Sequence, residues 1–92
     1  MNYLSSAFSL LETMKTIVDK FEKRDYKVST VNDGPFTIWV ERKKVHFSMT
    51  LMTVDYEPVI KVVIAMENRD MTYFDSSTDD MDMLDWIGAH IK

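Results

Sequence analysis

The chain predicts an α+β fold with an N-terminal amphipathic helix, a four- to five-stranded antiparallel meander and a short C-terminal helix. Three observations lead there. Apolar residues recur at spacings of three and four over the first quarter, alternate with polar residues through the middle, and return to helical spacing at the end. Ninety-two residues suffice for a single compact domain, residues 1–92, which buries only about 60 to 65% of its unfolded surface.

In the first segment Ala7, Leu10, Leu11, Met14, Ile17, Val18 and Phe21 share one face, while Glu12, Lys15, Asp19 and Lys23 share the other. This predicts a helix over Leu4 to Arg24, with Ser5, Ser6 or Ser9 as an early cap and Lys20, Lys23 and Arg24 suited to the negative end of the helix dipole. The period then drops to two. Tyr26, Val28 and Thr30 form one alternating set, and Asn32-Asp33-Gly34-Pro35 provides turn chemistry. Phe36, Ile38 and Val40 resume the pattern; after Arg42-Lys43-Lys44 it continues in Val45, Phe47, Met49 and Leu51. Asp55-Tyr56-Glu57-Pro58 ends that strand, and a fourth spans Val59 to Glu67 with Ile60, Val62, Ile64 and Met66 inward. Met71 to Phe74 is either a fifth strand or an extended loop. Connections this short exclude parallel crossovers. A final helix is expected over about Asp79 to Ile91, capped by Ser77, Thr78 or Asp80.

Net charge is −4, unevenly spread: residues 1–44 hold eight Lys/Arg and six Asp/Glu (+2), and residues 45–92 hold three and nine (−6). An acidic half disfavours nucleic acid and anionic membranes as partners and favours a protein partner with a basic surface. There is no cysteine, which excludes disulfides and thiolate metal sites and is the basis for expecting a cytoplasmic setting. No apolar run reaches the about 18 residues of a membrane span.

The densest chemistry lies in the last quarter, where Asp75, Asp79, Asp80, Asp82 and Asp85 surround Met83, Leu84, Trp86 and Ile87. On a helical wheel Met83, Leu84, Ile87 and Ile91 face the body, leaving Asp79, Asp82, Trp86 and His90 on a neighbouring strip. Carboxylates at a helix start have a local explanation in the helix dipole. A partly exposed Trp86 ringed by Asp75, Asp79, Asp82 and Asp85, with His90 behind it, also fits an aromatic anchor with a steering rim.

A second candidate surface is the outer sheet face, where Trp39, His46, Met52 and Val63 fall opposite the inner set. Partial cover by the closing helix is its leading explanation, ahead of homodimer formation or a foreign partner. A third candidate is Trp39 with the basic turn Arg42, Lys43 and Lys44, which imitates a single-strand nucleic-acid platform, although net charge weighs against it.

No metal or cofactor is expected: the aspartates lack calcium-loop spacing, and His46 and His90 lie far apart. Catalysis is not expected either. Only Gly34 and Gly88 occur, so no phosphate-cradling glycine loop exists, and the serines lack triad spacing. The expected function is therefore a small acidic protein-binding module, an inhibitor occupying a basic surface of a nuclease or other nucleic-acid-processing enzyme. Phage anti-defence, anti-CRISPR-like and immunity-type proteins act in this way; −4 is too small for full DNA mimicry. The alternatives are a self-associating assembly subunit and a single-stranded nucleic-acid binder.

Overall fold

The computed structural model describes residues 3–31, 34–65 and 69–91. Its order is α1 (Tyr3–Glu22), β1 (Lys27–Val31), β2 (Thr37–Arg42), β3 (Val45–Val54), β4 (Glu57–Ile64), β5 (Met71–Asp75) and α2 (Asp80–His90). The strands form one antiparallel sheet in the order β1-β2-β3-β4-β5. The meander expected from short connections is thus present, and Met71–Asp75 is its fifth strand, paired with β4 from Val63↔Met71 to Val59↔Asp75. Met66, Asn32 and Asp33 lie outside the described residues.

Helix α1 begins at Tyr3, earlier than its serines suggested, so Ser5, Ser6 and Ser9 lie inside it and not at its N-cap position. It also ends at Glu22 instead of Arg24, in a Schellman arrangement. Asp25 adopts φ 66, its amide donates to the Glu22 carbonyl (3.1 Å), and the Tyr26 amide donates to the Phe21 carbonyl (3.2 Å). The matching hydrophobic contact is Phe21 against Tyr26, centroids 5.1 Å apart and edge-to-face. Arg42 at the end of β2 secures the same corner: its guanidinium lies 4.4 Å from the Tyr26 ring centroid and its Nη1 donates to the Arg24 carbonyl at 2.9 Å.

Leu10, Met14, Ile17 and Phe21 of α1 are buried on Ile38, Val40, Phe47, Met49, Ile60, Val62 and Ile64 of the sheet, the alternating set expected to face inward. Phe36 departs from it, lying just before β2 with 39% of its surface exposed. Phe21 meets Phe47 edge-to-face at 5.0 Å. Truncating a fully buried ring such as Phe47 costs about 3–5 kcal/mol, a large share of the about 5–15 kcal/mol that a domain has.

The closing helix does not cover the outer face. Its buried Met83 and Ile87 join the same core, Trp86 packs on Phe74, and Thr13 of α1 donates to Asp80 at 3.0 Å. Phe74 pairs with the inward Ile60, so α1 and α2 lie side by side on one face. Met83, Ile87 and Phe74 are buried with the inner set, and the expected cover of the outer face by α2 is overturned. Among the described residues no helix is long and apolar enough to cross a membrane.

Candidate functional site

The connection from β5 to α2 is built from its own carboxylates. Asp75 Oδ1 accepts from the Ser77 hydroxyl (2.6 Å), the Ser77 amide (2.9 Å) and the Thr78 hydroxyl (3.4 Å). These bonds, the Ser77 hydroxyl foremost and then the Ser77 amide, hold its carboxyl below the usual aspartate range. Asp79 is the N-cap, with extended backbone and a side chain accepting from the Met81 amide at 2.9 Å; the cap expected at Ser77, Thr78 or Asp80 belongs to this residue. Local bonding fixes the position of both carboxylates.

The strip Asp82, Trp86, His90 forms as the helical spacing dictates, yet its aromatic is not free. Trp86 is half-buried, meets Phe74 edge-to-face at 6.0 Å, and carries the His90 imidazole stacked at 4.0 Å. His90 Nδ1 lies 2.7 Å from the Trp86 carbonyl oxygen. Phe74 and His90 thus take up much of the ring that was expected to anchor a partner. Asp85 separates from the others. It lines a groove of about 460 Å³ between the helices with Lys20, Arg24, Met81, Leu84, Gly88 and Ala89, and pairs with neither cation among the described residues.

Strand register then adds two carboxylates that are distant in sequence. Val54 pairs with Glu57 across a two-residue turn, and Asp75 pairs with Val59. Glu57 and Asp75 are therefore diagonal neighbours on the outer face, about 7–8 Å apart at Cα. Tyr3 at the start of α1 shares a hydroxyl hydrogen bond of 2.5 Å with Thr53, so the helix start, the β3–β4 turn and the β5–α2 connection lie at one end. That end carries Asp55, Glu57, Asp75, Asp79, Asp80 and Asp82; no described Lys or Arg occurs in residues 3–8, 50–60 or 73–82, and Lys61, the other diagonal neighbour of Asp75, stands at its margin. The opposite end holds the turns bearing Arg24, Lys43 and Lys44. The twenty residues of α1 put about 30 Å between the ends, several times the about 8 Å screening length at physiological salt. A partner at one end is barely influenced by the other.

At the centre of the acidic end stands Tyr56, 95% exposed. In the sequence Asp55-Tyr56-Glu57-Pro58 reads only as the end of a strand. The signal available was an aromatic between two carboxylates in the shortest loop that joins β-strands.

On the outer face Trp39 and His46 stack at 5.4 Å, and His46 Nδ1 is buried without a hydrogen-bond partner among the described residues. Trp39 pairs with Ser48, Ser48 with Val63, and Met52 with Val59, so Trp39, Met52 and Val63 share this face. Met71 and Tyr73 continue it, 52% and 45% exposed. The basic turn is weaker as a nucleic-acid platform than its sequence suggests: Arg42 is committed to Tyr26 and Arg24, leaving Lys43 and Lys44 to project.

Among the described residues no group of three or more His, Asp or Glu is arranged to hold a metal ion. Compared with protein-family models, with curated proteins and with solved structures, the chain matches none.

Proposed function

We propose that this chain is a small protein-binding module that meets a basic surface through its acidic end. It acts there as an inhibitor by occupying the surface that a nuclease or another nucleic-acid-processing enzyme uses for its polyanionic substrate. The observation that carries this reading is the segregation of charge, with Asp55, Glu57, Asp75, Asp79, Asp80 and Asp82 gathered at one end and Lys61 as the described cation at their margin, beside Asp75. Such a patch accelerates encounter with a basic partner and rejects acidic ones.

Asp55, Glu57 and Asp82 are exposed and make no side-chain hydrogen bond among the described residues, so they can be neutralised without disturbing the fold. The test captures partners from extract of the cells in which the chain occurs, using wild type and an Asp55→Asn/Glu57→Gln/Asp82→Asn variant in low and high salt. The reading requires a protein retained by wild type at low salt and released by salt or by the triple substitution. Retention that ignores both would end it.

A second reading, self-association through the outer sheet face, is favoured by the absence of either helix there and by the exposure of Met71 and Tyr73. Sedimentation over a concentration series separates the two, since a monomer at high concentration rules out an assembly subunit.

A further inference from the structure

We infer that Tyr56 is the aromatic anchor of the acidic end and seats in an apolar cleft of a protein partner whose rim carries Lys or Arg. The inference rests on the reading of the acidic end as the docking surface and names what that surface inserts.

The argument starts from the turn. Val54 and Glu57 are paired across the hairpin, which leaves Asp55 and Tyr56 as its two-residue loop, with φ of 50 and 68. Positive φ at both loop positions is the type I′ turn, whose twist suits the strands and whose second position favours glycine. Asp tolerates this left-handed backbone, whereas an aromatic side chain there is strained. The other described non-glycine residues with positive φ are Asp25, Lys43 and Arg69, a short polar side chain and two long flexible ones. Tyr56 is the one aromatic among the described residues with positive φ, and no described contact of its side chain offsets the strain. Its ring is 95% exposed and makes no ring contact or side-chain hydrogen bond among the described residues.

Uncompensated strain at an exposed position points to a contact outside the chain. The neighbours specify its chemistry. Asp55 and Glu57 flank the ring, the phenol adds a polar tip, and the ring face attracts cations. An apolar cleft with a basic rim satisfies ring, hydroxyl and both carboxylates at once; an acidic or purely apolar cleft leaves the carboxylates unpaired. A two-residue hairpin also holds the ring in place before binding, which lowers the entropy of docking.

The test uses opposite signs. Tyr56→Gly should raise the melting temperature by roughly 4 to 8 °C, because glycine relieves the turn, while weakening partner binding by about thirtyfold or more. In parallel, the photo-crosslinker p-benzoylphenylalanine is placed at Tyr56, at Tyr73 on the outer face and at Met81 beside α2, and each protein is irradiated with soluble extract of the cells that carry the gene. The expected result is a discrete adduct from position 56, suppressed by excess wild-type chain and not by excess Tyr56→Gly chain. Adducts from Tyr73 or Met81 alone, or a melting temperature that falls on Tyr56→Gly substitution, overturn the inference. Salt-sensitive capture that survives Tyr56→Gly substitution removes the anchor and leaves the acidic end standing; absence of salt-sensitive capture by wild type removes both.

Discussion

Asp79 separates structural from steering roles for the acidic end, because one side chain performs both. Its carboxylate accepts the Met81 amide at 2.9 Å as N-cap of α2 and places a negative charge at the positive end of that helix. Asp79→Ala removes both contributions: about 1 kcal/mol for the cap and about 0.5 kcal/mol for the charge at the dipole. Asp79→Asn keeps the accepting oxygen and loses only the second. The effect is global because α2 contributes fully buried Met83 and Ile87 to the single core, so a weakened helix start is felt in the whole unfolding equilibrium. With an m-value of about 1 kcal/mol/M in urea, the unfolding midpoint should fall by about 1.5 M for alanine and about 0.5 M for asparagine. Urea titrations followed by tryptophan fluorescence (Trp39 and Trp86) and by circular dichroism read both numbers. Equal midpoints for the two variants would falsify the capping assignment. On the binding side Asp79→Asn, which preserves the helix, should mainly slow association.

The remaining predictions address the same region. Asp75 titrates lower in the folded state than its ordinary value because of the Ser77 and Thr78 bonds. Its contribution is therefore fully present above about pH 4 and is lost as pH falls through the lower folded value; an Asp75→Asn variant should be less stable than wild type at pH 7, by a margin that narrows as the pH is lowered below about 4, as urea midpoints across that range would show. Trp86→Ala should cost about 2 kcal/mol in stability, less than the about 3–5 of a fully buried ring, and an unchanged midpoint would mean that the Phe74 and His90 contacts contribute nothing. Gly88 lies inside α2 with open space where a Cβ would stand, so Gly88→Ala should stabilise by about 0.5–1 kcal/mol. A fall in melting temperature would show that the added methyl group meets an obstruction.

Sequence pattern by itself determined the two helices, the strand succession and the antiparallel meander, because periodicity reports local geometry and short loops admit no parallel crossover. It assigned Ile38, Val40, Phe47, Met49, Ile60 and Val62 to the core for the same reason, and its expectation that Met83 and Ile87 face the body holds. The five-residue β5, at a sheet edge with one buried side chain, Phe74, is too short for alternation to distinguish it from a loop. The face chosen by α2 was not legible either, since Trp39, Met52, Val59 and Val63 make the outer face, though mixed with polar residues, apolar enough to receive a helix. That choice depends on Phe74, Met83 and Trp86 meeting in three dimensions.

The acidic end shows the division most clearly. Sequence gathers the aspartates of one contiguous segment and so emphasised Asp75 to Asp85, including Asp85, which folding turns toward the Lys20 and Arg24 groove. Only the tertiary structure brings Glu57 beside Asp75, and the turn bearing Asp55 to the same end, through the register that pairs Val54 with Glu57 and Val59 with Asp75. It also exchanges the expected aromatic for another: Trp86 is stacked and half-buried, while Tyr56 stands free on a left-handed turn. Composition and periodicity are sums over neighbours in the chain, whereas a docking surface is a sum over neighbours in space, and strand pairing converts the one into the other.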